Sequence, residues 1–424
     1  MRLVPSFSRQ TGLACAACHY QFPQLNGFGR LFKLNGYTLT GLTTIAGMDS
    51  ASKASLKLSP IPPVAAMVVT SITHTSVALP KSQNSSALFP EQASIFFAGQ
   101  VTPSVGTFVQ LTYAAQDGAI GVDNIDVRYA KHTSLAEKDL LLGLTMHNNP
   151  TSQDVWNTVP AWGYPFMSSS AAPTPAASTL IEGGLAQQVL GLGGYALWNN
   201  LVYTEVTAYR SAQQGTHAPL DSASAGVVSG VVPYGRIALQ HEAGANYMMV
   251  GAFGFAGARL YPGGVTGPTD RYSTLGLDGQ LEHKLTGGGV MIGRASFIHE
   301  AQRLDASFLE EAAQEPRATV QTFRANVSWM PSLKYSGTLG VFGSSGSTDT
   351  LRFAPGAVSG SRTGSPNSSG AMAEFSVNAW QNTRVSLQYT AYQRFNGSSS
   401  AYDLVGGRSA SANNTLYLYS WIAF

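Results

Sequence analysis

Charged residues are scarce in this sequence. They make up 11% of its 424 residues, about half of the ~25% that is typical of soluble globular proteins. Glycine is abundant by contrast, with 45 residues, and aromatic residues reach 10%. The composition therefore argues against an ordinary soluble enzyme, and with a formal net charge of +2 we expect no nucleic-acid partner.

Long hydrophobic runs are also missing. No apolar stretch approaches the ~18 residues that a transmembrane helix requires, so a membrane location would need a β-barrel. The first residues, Met1 to Ser6, likewise lack the apolar core of ~7–15 residues that a secretory signal contains. If the chain is exported, we therefore expect that its signal peptide has been removed from this version, or that the original gene starts further upstream.

Cysteine occurs only twice, at Cys15 and Cys18. Two cysteines cannot build a disulfide framework or a four-thiolate metal site, and no neighbouring residue completes a zinc ligand set. A thioredoxin-like pair would need a βαβ context, which the sequence lacks. With His19 the motif reads C-x-x-C-H, the pattern of c-type haem attachment, in which two thiols add to the haem vinyl groups and the imidazole reaches the iron. The sequence therefore predicts one covalent haem c.

Residues 58–424 alternate apolar and polar residues with a period of two, between clusters of Gly, Ser, Asn and Pro. This pattern is typical of strands and turns. In segment 384–392, for example, Val385 and Leu387 alternate with polar neighbours, which predicts an apolar face toward lipid and a polar face toward a lumen. A soluble β-sandwich alternates as well, so this pattern alone leaves both folds open.

The end of the sequence favours the membrane barrel. The stretch Leu416 to Phe424 ends in an aromatic residue and resembles the C-terminal β-signal of bacterial outer-membrane proteins, although an ordinary edge strand is the alternative. Its Tyr and Trp residues fit an interfacial aromatic girdle. We therefore predict an all-β fold, a transmembrane antiparallel β-barrel of about 16 strands in the outer membrane of a Gram-negative bacterium. Ser- and Gly-rich segments at 343–347, 356–370 and 396–412 are predicted to be mobile extracellular loops.

Two further stretches carry a family resemblance. The first begins Pro5-Ser6-Phe7-Ser8-Arg9-Gln10-Thr11-Gly12, passes through the haem motif and continues Phe22-Pro23-x-Leu25-Asn26-x-Phe28-Gly29-Arg30-x-Phe32-Lys33, and the second is the polar insert Asn148 to Trp162. With the barrel pattern, they resemble the fused monohaem cytochrome-porins, outer-membrane proteins of iron-oxidising bacteria. The resemblance implies a cytochrome segment at residues 1–57 that plugs a porin-like barrel at residues 58–424. It also implies electron transfer from extracellular Fe(II) to a periplasmic cytochrome or other carrier.

The second axial ligand of the haem iron is open at this point. Methionine is the usual sixth ligand of a high-potential c-type haem. Met48 lies in the cytochrome segment, and Met67 is expected to face the lumen near the start of the first strand. His147 precedes the polar insert on a polar face and is the third candidate.

Basic and aromatic residues near the motif are candidates for the rest of the haem site. Arg30, Lys33 and Asp154 could hold the haem propionates or join the plug to the wall. Arg30 and Lys33 are the better propionate candidates, because guanidinium and ammonium groups pair with carboxylates. Trp156 and Trp162 either line the haem pocket or anchor the insert, and anchoring is the favoured role for Trp162.

Three functions follow from these residues. The first is oxidation of an extracellular donor, with Fe(II) implied by the resemblance, and electron delivery to the periplasm. The second is a diffusion porin whose haem is structural, and the third is an electron conduit that runs outward to an extracellular acceptor. A plug that fills the lumen would disfavour the porin, because a porin leaves an aqueous path.

Overall fold

The computed structural model of this chain describes residues 6–40, 42, 45–48, 55–58, 60–116, 118–212, 225–404 and 407–424, with the backbone alone for 45–48 and 55–58. Its strands are β1 (His19–Gln21), β2 (Gln24–Leu25), β3 (Ile45–Met48), β4 (Ser55–Leu58), β5 (Val64–Thr75), β6 (Ser86–Thr102), β7 (Val105–Ala114), β8 (Ala119–Leu135), β9 (Lys138–His147), β10 (Val189–Trp198), β11 (Val202–Ser211), β12 (Val227–Val228), β13 (Val232–Ala243), β14 (Asn246–Tyr261), β15 (Asp270–Lys284), β16 (Val290–Arg303), β17 (Arg317–Met330), β18 (Tyr335–Gly346), β19 (Ser368–Trp380), β20 (Thr383–Arg394) and β21 (Thr415–Ala423). Its α-helices are α1 (Ser6–Thr11), α2 (Gly27–Leu34), α3 (Pro150–Gln153) and α4 (Asp305–Leu309). Among these described residues, no helix has the length and apolar character needed to cross a membrane.

Strands β5–β11 and β13–β21 pair antiparallel, each with the next, and close into a barrel of sixteen strands within the described residues. This number agrees with the prediction from length. The seam is formed by β21 and β5, where Trp421 lies opposite Val69 and Leu418 opposite Ile72. The short β12 pairs with the end of β14 at the rim.

The faces of the wall are inverted relative to a soluble protein. Large apolar side chains point outward and are exposed, as Leu277 (54%) and Leu387 (45%) show, whereas Arg384 and Gln388 point inward and are buried. An apolar exterior around a polar interior is the pattern of a transmembrane barrel, and it confirms the faces predicted for segment 384–392. The chain is therefore an outer-membrane β-barrel protein.

Strand β21 corrects one sequence-based prediction. Its Tyr417, Tyr419 and Trp421 face the lumen and are buried, so they do not belong to an interfacial girdle. The lipid-facing side of the strand carries aliphatic residues instead, among them Leu416 and Leu418, which are 41% and 42% exposed.

Short and long connections alternate around the barrel. Pairs such as Pro103–Ser104 and Ala136–Glu137 join strands at one end, and the long segments 148–188, 347–367 and 395–414 join them at the other. Outer-membrane barrels place short turns in the periplasm and long loops outside. The predicted loop at 343–347 is wrong for most of its length, because β18 continues to Gly346, and 356–370 is a loop only as far as residue 367.

The N-terminal residues 6–37, which we call the plug, lie inside the lumen. Tyr37 donates a hydrogen bond to Asp126 of β8 (Oη to Oδ2, 2.6 Å), and Tyr20 donates one to Glu282 of β15 (Oη to Oε2, 2.6 Å). On another side of the barrel, Arg384 of β20 donates to the carbonyl oxygen of Phe22 at 2.6 Å. Contacts with strands so far apart in the wall mean that the plug crosses the lumen.

The connection between β9 and β10, residues 148–188, begins with the polar insert of the sequence analysis and is called the insert as a whole from here on. It folds into the same lumen from the long-loop end. Trp156 of the insert is 3% exposed and donates a hydrogen bond from its indole nitrogen to the hydroxyl of Tyr247 at 2.6 Å. Phe166 is fully buried. The lumen is thus filled from both ends, by the plug and by the insert.

Candidate functional site

The cysteine motif is held in place by Asn26, the N-cap residue of α2. Its side-chain oxygen accepts a hydrogen bond from the backbone N–H of Gly29 at 2.9 Å, and its amide nitrogen donates to the carbonyl oxygens of Ala16 (3.2 Å) and Ala17 (3.0 Å). Its own backbone N–H donates to the carbonyl oxygen of Cys18 at 2.9 Å. The N-cap preference of Asn could have revealed the start of α2 in the sequence, but not its bonds to the motif.

Gly29 allows α2 to approach the motif closely. A Cβ atom built at this position would lie 2.1 Å from the carbonyl oxygen of Cys18, which is far shorter than any van der Waals contact. The side chain of any other residue would therefore push the helix away from the second cysteine.

The motif lines a cavity inside the barrel, with about 1570 Å³ of empty space that is open to solvent in part. Cys15, Cys18 and His19 all contribute to its wall. The other lining residues are mostly apolar and come from the plug, the insert and the barrel wall; they include Phe7, Leu13, Phe22, Phe32, Ala65, Met67, Phe96, Phe108, Val155, Trp162 and Trp421. Because Ala65, Met67 and Ala423 sit at the ends of β5 and β21 that face the short turns, the cavity lies toward the short-turn end of the barrel.

The charge state of His19 is set by its surroundings. Burial lowers its pKa to about 4, against the weaker opposing effect of the backbone at Pro23 and Gln24, so the imidazole is neutral near pH 7. Its Nδ1 has no hydrogen-bond partner within the described part of the chain. The ring lies 4.8 Å from that of Phe22, centroid to centroid. Neutral imidazole is the form that ligates iron.

Both cysteines carry free thiols. Burial raises the pKa of Cys15, and burial together with the neighbouring Cys15 raises the pKa of Cys18 to about 11, so both stay protonated near pH 7. Elevated values argue against a redox thiolate, since reactive cysteines have lowered pKa values. Within the described residues, no group of three or more His, Cys, Asp or Glu side chains could hold a metal ion.

Several residues singled out in the sequence meet at this cavity. Met67, Lys33, Asp154 and Trp162 all line it. Met67 is 3% exposed and belongs to the inward face of β5, as predicted. Burial lowers the pKa of Lys33 to about 8, and its ammonium group donates to the backbone carbonyl of Ser152 in the insert.

Other predicted residues lie elsewhere. Arg30 is not a lining residue; its guanidinium forms an ion pair with Glu282 of β15 (2.6 Å) and lies over the ring of Tyr247 at 4.3 Å. His147 is buried next to Tyr209, whose hydroxyl lies 3.3 Å from its Nε2. The side chain of Met48 lies outside the described residues.

The structure corrects the anchoring role favoured for Trp162 and decides the role that the sequence left open for Trp156. Trp156, bonded to Tyr247, anchors the insert to the wall, and Trp162 lines the cavity. Trp421 of the last strand also lines the cavity, and its ring is stacked 6.3 Å from that of Phe22. No signal in the sequence indicated this role, because alternation shows only that Trp421 shares a face with Tyr419.

The fold and the site together define an outer-membrane β-barrel whose lumen holds an N-terminal plug with a C-x-x-C-H motif on an apolar cavity. No protein-family model matches the chain, and no curated protein matches it. Among solved structures it is similar to an anion-selective porin from Comamonas acidovorans, with 10% identity and a TM-score of 0.47 over 85% of this chain and 98% of the porin. OmpT of Vibrio cholerae in its trimer form (10% identity, TM-score 0.44, 85% and 98%) and Salmonella typhi OmpF in complex with daunomycin (11%, 0.41, 85% and 97%) are similar to the same degree. At these scores the likeness carries no argument about function.

Proposed function

We propose that this chain transfers electrons across the outer membrane by way of one haem c, attached to Cys15 and Cys18 and ligated by His19. In this proposal, the electrons come from extracellular Fe(II) and pass to a periplasmic cytochrome or other carrier. The observation that carries the proposal is that all three motif residues line one apolar cavity inside a membrane-spanning wall.

The residues around the cavity fit this group. Two protonated thiols outside any disulfide and a neutral imidazole are the groups that attachment and ligation need. The aromatic and aliphatic lining suits a flat apolar ligand. When bound, haem c supplies one-electron redox chemistry.

Met67 is the best-supported residue for the second axial position. Of the three candidates named from the sequence, it alone has a described side chain that lines the cavity. His147 is instead enclosed by Tyr209 and the backbone of Asn149. Lys33 is the better-supported partner for a propionate, since Arg30 already has the carboxylate of Glu282 as its counter-charge.

The filled lumen favours electron transfer over solute diffusion. Lumen-facing side chains of strands all around the wall are 3% exposed or less, among them Gln110, Arg128, Thr207, Thr338 and Gln388. In an open aqueous channel such side chains would be accessible to water. A route for electrons needs no open path, whereas a route for solutes does.

The position of the cavity affects the two half-reactions differently. It lies near the short-turn end of the wall, so a periplasmic carrier has the shorter approach. An extracellular donor must reach it past the insert. Exchange with the donor should therefore be the step that depends on residues 148–188.

The test uses the full-length protein in liposomes that enclose a ferric cytochrome c, with Fe(II) added outside. We expect reduction of the enclosed cytochrome by the wild type and none with Cys15→Ala/Cys18→Ala. A parallel set of liposomes encloses an impermeable Fe(II) chelator in place of the cytochrome. Colour in that set would show that iron itself crosses, which would support the diffusion porin and overturn electron transfer.

Replacement of Met67 tests the axial ligand separately. Met67→Ala should leave the haem covalently attached but remove the absorption and magnetic signatures of a methionine-ligated iron. Met372→Ala is the matched control, because Met372 is also buried (4% exposed) on the wall but does not line the cavity. An unchanged spectrum in Met67→Ala would rule out this ligand.

A further inference from the structure

Five arginines are buried in the lumen with less than a tenth of their surface exposed. Four of them form ion pairs, namely Arg30 with Glu282 (2.6 Å), Arg128 with Asp126 (2.8 Å), Arg236 with Asp278 (2.5 Å) and Arg384 with Glu374. The fifth, Arg294 of β16, is 5% exposed and has no carboxylate within 4.0 Å among the described residues.

The guanidinium of Arg294 is also short of hydrogen bonds. It donates one, from Nη1 to the carbonyl oxygen of Asn157 at 3.3 Å, and it lies 4.9 Å above the ring of Phe166. Its Nε and Nη2 have no partner among the described residues. A buried cation without a close counter-charge is strongly unfavourable, because water no longer solvates it. Asp154 and Glu282 attract Arg294 only from beyond 4.0 Å, whereas each of the other four arginines has a carboxylate within that distance. The lack of a close negative charge at Arg294 therefore points to a ligand.

Arg294 lines a second, smaller cavity with about 220 Å³ of empty space. Its other polar lining residues are Asn157, Thr158, Tyr164, Ser296, Arg324 and Asn326. The Nδ2 of Asn157 is a further buried donor without a partner among the described residues. Arg324 adds a second guanidinium, which is already balanced by Glu182. The Oδ1 of Asn326 is an acceptor without a partner in the described part of the chain. The free groups of this cavity are therefore mainly donors.

We propose that Arg294 and Asn157 bind one small anion in this cavity, either a halide ion or a single carboxylate group. The two sources of that charge are a free ion from solution and a carboxylate of a group bound in the neighbouring cavity, whose wall Asn157 shares. Only the second source rests on the proposed haem attachment. The site itself stands on the unpaired buried cation and the donors around it.

The experiment measures the urea midpoint of unfolding of the full chain in detergent, in chloride and in isethionate at equal ionic strength. The sulfonate of isethionate is much larger than chloride, so isethionate serves as the reference anion. An anion that binds only the folded state raises the midpoint. We expect chloride to raise the midpoint of the Cys15→Ser/Cys18→Ser variant. If the wild type shows the same rise, the site takes a free ion; if it shows none, the attached group supplies the carboxylate.

Two variants make this result specific. Arg294→Met removes the charge with little change in length and should abolish the chloride effect. Asn157→Asp keeps Arg294 and gives it a built-in counter-charge, so it should abolish the effect as well, and it serves if Arg294→Met does not fold. Two outcomes would overturn the proposal, because each would mean that only water fills the cavity. The first is a chloride effect of equal size in Arg294→Met, in Asn157→Asp and in the Cys15→Ser/Cys18→Ser form that carries neither change. The second is the absence of a chloride effect in every form.

Discussion

In the wall, each strand is held by a ladder of backbone hydrogen bonds to its two neighbours, and exposed side chains are apolar. In the plug, single side-chain bonds such as Tyr37 to Asp126 and Arg30 to Glu282 join the segment to distant strands. The wall therefore repeats one local rule many times, whereas the plug depends on a few particular contacts. This difference predicts that changes in the plug alter the site and leave the barrel intact, and that changes in the wall alter stability.

The largest expected effect is the loss of the haem. Cys15→Ala/Cys18→Ala should reduce covalent haem from one per chain to none, because these are the only cysteines in the sequence. The barrel should still form, as judged by its heat-dependent mobility in SDS gels. Colour that stays with the denatured double variant after acid-acetone extraction would contradict the site.

Arg384 tests the connection between the two regions, since it bonds to Glu374 and Tyr419 in the wall and to Phe22 in the plug. Arg384→Met leaves Glu374 buried without its cation, and we expect a loss of about 3–5 kcal/mol in the free energy of unfolding. The control is Arg303→Met, which breaks a half-exposed pair with Asp305 and should change stability by ~0–1 kcal/mol. Equal losses in the two variants would show that the buried network does not hold plug and wall together.

The lipid face can be tested with two exposed leucines. Leu277 lies in the middle of β15 and is 54% exposed, and Leu309 lies in α4, within a long connection, and is 71% exposed. Leu277→Arg places a charge in the apolar belt and should reduce stability by about 2–4 kcal/mol in lipid vesicles. Leu309→Arg should change it by less than ~0.5 kcal/mol. Similar values for both would argue against a membrane at β15.

The smallest expected change concerns packing within the plug. Gly29→Ala places a Cβ atom against the carbonyl oxygen of Cys18, so α2 and the motif must separate. We expect this to destabilise the folded plug by ~1–3 kcal/mol. Because the barrel does not depend on this contact, the change should lower the yield of attached haem more than it lowers the stability of the wall. Gly293→Ala in β16 is the control, since nothing lies within 4 Å of its added Cβ. A normal haem yield in Gly29→Ala would show that α2 does not position the motif.

The same contrast explains what the sequence could reveal. Alternation has a period of two in any strand, so the inward position of Met67 and the faces of segment 384–392 were readable from a few neighbouring residues. The C-x-x-C-H motif is local as well. The haem itself, its axial ligand and the direction of electron flow stay predictions.

Contacts across the lumen could not be read in this way. Arg30 and Glu282 are 252 residues apart in the chain. The residues next to Arg30 do not indicate that it pairs with a carboxylate of the barrel wall. From the sequence Trp421 fits a lipid interface and a packed lumen equally, because aromatic residues suit both. The choice between the two depends on the plug, which fills the space that Trp421 faces.

The seam between β5 and β21 has a consequence for the order of events during biogenesis. Trp421 packs against Phe22 of the plug, which precedes it in synthesis, and its strand β21 pairs with β5, the first strand of the barrel. Once β21 and β5 have paired, Cys15 is enclosed, with 8% of its surface exposed. An enzyme that modifies Cys15 would therefore have to act before closure. Maturation of the motif would then precede completion of the barrel.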